Sequence, residues 1–276
     1  MSTWENASLS GVPERSITGD ERPRDAVRNQ VLDTAEALVG QHGLTVGLGH
    51  LSFDEIINLA GVSRTTAYRV WPRKERFLED LLRRLADVAS PCYGPLDDEA
   101  AELAFATLRE NVGALETAEG RRGVLVEMCR VTADGWFRGV ALSPTWKTYV
   151  ALIATIRSLG DQELASELRE RMEAVDDIGA QRVAGYHKQA MAVLGYRLRQ
   201  VGPIQLVDLG AATLLGTLLL ADIHPTVTEP LVQSDAFGTG RLADWSLPAI
   251  AYTSVLLEAV EPDPDYDLEA AVRLLN

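Results

Sequence analysis

Ser52-Phe53-Asp54-Glu55-Ile56-Ile57-Asn58-Leu59-Ala60-Gly61-Val62-Ser63-Arg64-Thr65-Thr66-Ala67-Tyr68-Arg69-Val70-Trp71-Pro72-Arg73-Lys74-Glu75-Arg76-Phe77-Leu78-Glu79-Asp80-Leu81-Leu82 holds two helix starts with a glycine between them. Ser52 is a good N-cap, and Ile56, Ile57 and Leu59 give the helix that follows an apolar side. Gly61 tolerates positive φ and ends that helix. Val62 packs into the corner while Ser63 caps a second short helix, leaving Arg64, Thr65 and Thr66 in its first turn, where unpaired N–H groups and the helix dipole favour a phosphate. Tyr68 and Trp71 are three apart and therefore neighbours on the helix, suited to anchoring it. Pro72 closes the unit, and Leu78, Leu81, Leu82 and Leu85 then form the stripe of a longer helix that Ser90-Pro91 stops.

These residues resemble the DNA-binding domain of the tetracycline-repressor family of transcriptional regulators. The resemblance rests on Ile56 to Val62, ending in Ala60-Gly61-Val62-Ser63, then on Thr66, Tyr68, Trp71 where the family usually has phenylalanine, Lys74, Glu75 and Leu78. It implies an all-α chain with an N-terminal helix-turn-helix three-helix domain and a larger helical ligand-binding and dimerisation domain. It further implies a homodimer, probed by two recognition helices in successive major grooves of double-stranded DNA with a palindromic operator, and a small-molecule effector that controls binding. Carried onto this chain, it assigns Arg64, Thr65 and Arg69 to base or groove recognition and Thr66, Tyr68 and Lys74 to phosphate. The caps Ser52 and Ser63 complete the candidate DNA-binding set. Asp54 departs from the family pattern, which often has a basic or neutral residue there; Ile57 replaces a usual alanine; and the link from Gly43 to Ser52 is several residues longer.

The charge of −14 over 276 residues is unevenly spread: residues 24–90 hold nine Lys/Arg and nine Asp/Glu, whereas residues 91–276 hold fifteen and twenty-seven. A neutral N-terminal domain still binds DNA if its cations face one way, because affinity depends on phosphates contacted rather than on net charge. The two cysteines, Cys92 and Cys129, match neither a metal-ligand spacing nor a disulfide framework, which points to a reducing cytoplasm. Residues 1–23 lack the apolar segment of a secretory signal, and the run Leu214 to Ala221 is far short of the ~20 residues that span a bilayer. No membrane partner is expected.

Three segments follow from this reading: a mobile arm at 1–23, the helix-turn-helix domain with its connecting helix at 24–90, and the helical ligand-binding and dimerisation domain at 91–276. Helical periodicity marks Arg24 to Gly43, Asp97 to Glu116, Val124 to Val140 and Pro144 to Leu159. Leu164, Leu168 and Met172 lie on the next helix, the pair Asp176-Asp177 reads as a solvated turn, and the stripe resumes through Val183, Tyr186, Ala190, Leu194 and Leu198. Ile204 to Leu220 and Leu247 to Val260 are the last apolar helices, and the resemblance pairs them with their copies in a second subunit. Between them, His224 to Asp244 shows no periodicity. No strand alternation is visible anywhere.

His42, His50, His187 and His224 are too scattered for a metal site, and no catalytic constellation or cofactor motif is present. The chain is therefore not read as an enzyme. Phe105, Met128, Trp136, Phe137, Trp146, Tyr149, Met172, Tyr186 and His187 are candidates to line an apolar effector pocket with a few polar handles. The acidity of this domain favours neutral or cationic ligands. The functional expectation is a ligand-responsive homodimeric repressor; the alternative, motivated by Asp54, Glu55 and the neutral first domain, is a helical ligand-binding or protein-interaction module that has lost DNA binding.

Overall fold

Eleven α-helices carry the described part of the chain, which in this computed structural model comprises residues 21–42, 52–89 and 95–275. The fold is all-α, with two small antiparallel ladders as its only strands among those residues. The N-terminal arm up to residue 20, the helix stop at Gly43, His50, Cys92 and the linker 90–94 lie outside them.

Helix α1 (Glu21–His42) starts inside the segment read as an arm. It packs Val31, Leu32, Ala35 and Val39 against α2 (Phe53–Leu59), α3 (Arg64–Val70) and α4 (Lys74–Ala86), around a core of Phe53, Ile56, Ile57, Ala67, Trp71, Phe77, Leu81, Leu82 and Leu85. That core does not end at α4. It runs on into Ala151, Leu152 and Ile156 of α7 (Pro144–Ser158) and Leu164, Ala165 and Leu168 of α8 (Gln162–Leu194). The stripe on α4 therefore joins the small N-terminal unit to the larger helical body through continuous apolar packing.

The larger body is built by α5 (Pro95–Glu110), a 3₁₀ turn at Val112–Glu116, α6 (Ala118–Leu142), α7, α8, α9 (Pro203–Ala221), α10 (Leu247–Ala259) and α11 (Leu268–Leu274). One cluster joins Leu108, Leu125, Cys129, Val193, Leu194 and Leu256, and another joins Trp136, Phe137, Trp146, Leu214, Leu218, Trp245 and Ala249.

Helix α8 corrects the expected break at Asp176-Asp177. It is continuous for 33 residues, with its N-cap Asp161 accepting from Glu163 and Leu164. Adjacent carboxylates point in different directions from a helix, and no proline accompanies them, so nothing there interrupts the backbone ladder. The helix ends instead at Gly195, in the left-handed region at φ 69°, so Leu198 belongs not to its stripe but to β1 (Tyr196–Leu198), paired with β4 (Val260–Pro262). The segment 224–244 is likewise structured: a 3₁₀ turn at Pro225–Thr228, then β2 (Leu231–Ser234) paired with β3 (Ala243–Trp245). Asp235 organises the connection by accepting the N–H groups of Thr239 at 2.8 Å and Gly240 at 3.0 Å. Ladders of three or four residues are too short to display a period-two pattern.

Gly195 supports a direct test. A Cβ there would lie 2.6 Å from Cδ2 of Tyr266, whose hydroxyl donates to the Val193 carbonyl at 3.1 Å and so holds the ring in place. Gly195→Ala is expected to lose about 1 to 2 kcal/mol from the left-handed backbone alone, read as a lowered urea midpoint with an unchanged slope.

Helix α9 buries Leu206, Val207, Leu214 and Leu218 and exposes Ile204, Leu209, Leu219 and Leu220. At 19 residues and mean hydropathy 1.8 it is long and apolar enough to cross a membrane by length and composition. The apolar run is thus longer than Leu214 to Ala221, because Gly210 and Gly216 do not interrupt the helix. Here it packs against α8 and α10 of its own chain.

Candidate nucleic-acid interface and effector cavity

The turn between α2 and α3 is held by a small set of bonds. Ser52 accepts the Glu55 N–H at 3.3 Å, and Ser63 accepts the Thr66 N–H at 3.2 Å while its hydroxyl meets that of Thr66 at 2.7 Å. Gly61 adopts φ 67°, the Val62 N–H reaches the Ile57 carbonyl at 3.1 Å, and Gln30 of α1 donates to the Ala60 carbonyl at 2.7 Å. Ser52 and Ser63 therefore act as caps. Below the turn, Phe53 stacks on Phe77 with centroids 4.6 Å apart and meets Tyr68 and Trp71 edge-on. The Trp71 indole also donates to Asp80 at 2.7 Å.

On the outer side Arg64, Thr65, Tyr68 and Arg69 are exposed, and Thr66 and Lys74 are half-buried. Arg64 is engaged with the residue that departs from the family pattern: its Nε and Nη2 donate to the two carboxylate oxygens of Asp54 at 2.8 and 2.5 Å. Hydrogen bonding to Asp54 raises the guanidinium pKa further. Arg24 and Arg28, both exposed on α1, also bond to this unit, Arg24 donating to the Arg69 carbonyl at 3.0 Å and Arg28 pairing with Asp80 at 2.9 Å. Among the described residues Arg69, Arg73 and Lys74 form no ion pair, and they lie where α3 passes into α4. Arg73 was not singled out in the sequence; its place at the entry to α4, next to Lys74, is the signal.

Helix α4 is bracketed by charge on two sides. Arg84 pairs with Asp33 and Glu36 of α1. Arg83 donates to Glu167 of α8 at 2.9 Å, and Arg171 joins Glu167 at 3.0 Å to Asp87 at 2.8 Å. Arg83 holds the Glu167 carboxyl below the usual range. Twenty residues further along the same α8 lies His187, about 30 Å away at 1.5 Å per residue, in the wall of a cavity.

That cavity, of about 120 Å³, is lined by α5, α6, α8, α9 and α10 and is open on one side. Phe105, Met128, Trp136, Tyr186 and His187 line it, as do Asp97, Thr132, Leu214 and Tyr252, which sequence reading passed over. Four of the sequence candidates lie elsewhere. Phe137 and Trp146 fill the core between α6, α7 and α9, Tyr149 stacks on Trp146 at 6.3 Å, and Met172 packs into the core shared by α4, α7 and α8. The neighbours Trp136 and Phe137 show the cause: successive helical positions point about 100° apart, so one faces the cavity and the other the core. Small residues on two walls, Ala100, Ala101 and Ala104 of α5 with Gly210 and Ala211 of α9, leave the space open. A Cβ on Gly210 would approach Tyr252 to 2.9 Å.

The polar groups of the cavity sit in two places. At one, the Trp136 indole donates to Asp97 at 2.9 Å, Arg182 lies 3.8 Å from Asp97 and 3.6 Å from Asp98, and Tyr186 donates to Asp98 at 2.9 Å. At the other, His187 Nε2 and the Tyr252 hydroxyl are 2.9 Å apart, while His187 Nδ1 is buried with no hydrogen-bond partner. Burial pulls the His187 pKa down to about 4 and pushes the Tyr252 phenol up, so both are neutral at pH 7. Among the described residues no group of three or more His, Cys, Asp or Glu is placed to hold a metal ion. Buried Cys129 has its thiol pushed up to about 12 by desolvation, which leaves it protonated.

Comparison of the chain with protein-family models, with curated proteins and with solved structures found no match.

Proposed function

We propose that this chain is a sequence-specific regulator of transcription, a homodimer of the tetracycline-repressor type that binds double-stranded DNA through α3 and releases it when a small molecule occupies the cavity. The observation that carries this reading is the α2–turn–α3 surface. On its apolar side Ile56, Ile57 and Ala67 are buried in the core while Leu59 is 60 % exposed, and Arg64, Thr65 and Arg69 project beside exposed Arg73 and half-buried Lys74. Cations face phosphates and an exposed helix face meets base edges, a division of labour that DNA recognition requires. The exposed apolar side of α9, with Leu209, Leu219 and Leu220, supports pairing with a second copy. Buried Leu214 faces the cavity of its own chain and not that surface.

Enrichment of sequences from a randomised duplex pool tests the reading: a roughly palindromic site is expected. Lys74→Ala is expected to weaken binding to all sequences nearly equally and to reduce the slope of log affinity against log salt by about 0.9, one phosphate contact. An unchanged slope removes Lys74 from the phosphate set. For the dimer, Leu219→Asp places a charge in the proposed contact and is expected to shift light scattering from dimer to monomer. A dimer of unchanged stability locates the interface elsewhere.

One observation favours a second reading, a helical ligand-binding or protein-interaction module without DNA binding: Asp54 already occupies one edge of Arg64. A pool that yields no enriched sequence supports that alternative.

A further inference from the structure

Resting on the reading of the cavity as an effector site, we propose that its ligand is an uncharged acyclic alcohol of about four carbons, with the hydroxyl at His187 Nδ1 and the chain along the apolar wall. The imidazole sets the orientation. Every other polar side chain described in the wall has a partner: Trp136 donates to Asp97 at 2.9 Å, Tyr186 to Asp98 at 2.9 Å and Thr132 to the Met128 carbonyl at 2.8 Å, while the Tyr252 hydroxyl meets His187 Nε2 at 2.9 Å. His187 Nδ1 is buried without one. If the Tyr252 hydroxyl donates to Nε2, Nδ1 carries the proton and seeks an acceptor; in the other tautomer Nδ1 seeks a donor. A hydroxyl satisfies either, whereas a carbonyl or ether oxygen satisfies only the first. A buried polar atom without a partner is costly, so a hydroxyl gains here what an alkyl group of the same size does not.

The wall selects against charge of either sign. No Lys or Arg lines the cavity, so an anion finds no opposite charge there. Asp97 already accepts the Trp136 indole and lies 3.8 Å from Arg182, so a cation has to compete with both for it. Burial keeps His187 and Tyr252 neutral at pH 7. An ion removed from water needs strong replacement partners, and an uncharged ligand does not bear that cost.

Size sets the last limit. A buried cavity of roughly 150 Å³ takes one benzene, and this one, at about 120 Å³, is smaller. Scaled to that volume, roughly five non-hydrogen atoms are enclosed, four carbons and one oxygen. An acyclic chain is narrower than a ring, and the open side leaves room for its far end. Phe105, Met128, Ala104 and Ala211 give the chain an apolar surface.

NMR titration of the full chain with n-butanol, butylammonium, butanoate and cyclohexanol tests this, with the nitrogen resonance of His187 Nδ1, assigned by its loss in His187→Phe, as a second readout. n-Butanol is expected to bind tightest and to shift the Nδ1 resonance. Both ions are expected to bind roughly tenfold or more weakly, and cyclohexanol, although more apolar, several-fold more weakly than n-butanol. His187→Phe is expected to weaken n-butanol several-fold. Ala211→Leu, which occupies the space and leaves His187 in place, serves as a second variant and is expected to weaken n-butanol as well. An ion bound as tightly as n-butanol, cyclohexanol bound more tightly than n-butanol, an Nδ1 resonance unmoved at saturation, n-butanol affinity unchanged in either variant, or no binding of any probe overturns the proposal. Failure of the regulator reading looks different: n-butanol binds as described, yet the chain selects no duplex sequence from the pool.

Discussion

Trp71→Ala is expected to destabilise the fold by about 3 to 5 kcal/mol, the range for truncating a large buried aromatic, and to abolish duplex binding with it. Trp71 is 2 % exposed and lies where α3 gives way to α4, edge-on to Phe53 at 5.9 Å and to Phe77 at 5.4 Å. The three rings are the joint on which α2, α3 and α4 are set. Its indole N–H also fixes Asp80, which holds Arg28 of α1 and Arg83 of α4. Truncation therefore opens a cavity and releases a carboxylate that orders two arginines. Trp71→Phe separates the contributions: it keeps a ring in the cluster and loses the hydrogen bond, so a cost nearer 1 to 2 kcal/mol is expected. Urea unfolding followed by circular dichroism measures both. Equal costs for the two variants would assign the stability to the Asp80 bond rather than to packing.

Asp54→Asn is expected to make the chain a stronger but less discriminating DNA binder. The ion pair of Asp54 with Arg64 has no net charge, and the carboxylate repels a phosphate from that position. Because the pair uses Nε and Nη2, the end of the guanidinium formed by Nη1 and the second N–H of Nη2 remains available, a fork that fits O6 and N7 of a guanine. Asparagine leaves the cation uncompensated and mobile, so affinity for random duplex should rise several-fold at low salt, and the salt slope should steepen by about one contact. Arg64→Ala is expected to do something else: discrimination at one base pair falls by roughly tenfold or more, with little change in slope. Competition between the selected site and random duplex at two salt concentrations distinguishes them. A parallel loss of slope in Arg64→Ala would show that Arg64 meets phosphate.

Under the proposed function, α8 links the cavity to the unit that carries α3. A ligand that alters the position of α8 at His187 would act on a continuous helix whose other half carries Glu167 and Arg171, and these bond Arg83 and Asp87 of the α4 segment. By linkage, an effector that weakens operator binding is itself weakened by operator to the same factor, with couplings typically of ~1 to 3 kcal/mol.

Much of the N-terminal unit was legible because its information is local. Serine caps at 52 and 63, a glycine required at positive φ at 61, and an apolar stripe from Leu78 to Leu85 each act within one or two turns of backbone, and the all-α class followed from similar periodicity along the rest. What lay beyond reach depends on residues far apart in the chain. Asp97 meets Trp136, and His187 meets Tyr252, only because α5, α6, α8 and α10 pack side by side. Periodicity shows that a helix has an inside but not whether that inside faces core or cavity, which is why Phe137, Trp146, Tyr149 and Met172 were grouped with Trp136. The ladders β1–β4 and β2–β3 arise where tertiary packing brings short segments alongside each other, with no alternation to announce them. Composition and local pattern thus determined the helices, their caps and the exposed arginines of α3. Tertiary structure alone decided that Arg64 is held by Asp54, that Leu214 looks inward, and that a carboxylate and an unpartnered imidazole nitrogen share one cavity, since each of these depends on which helix faces occupy the same space.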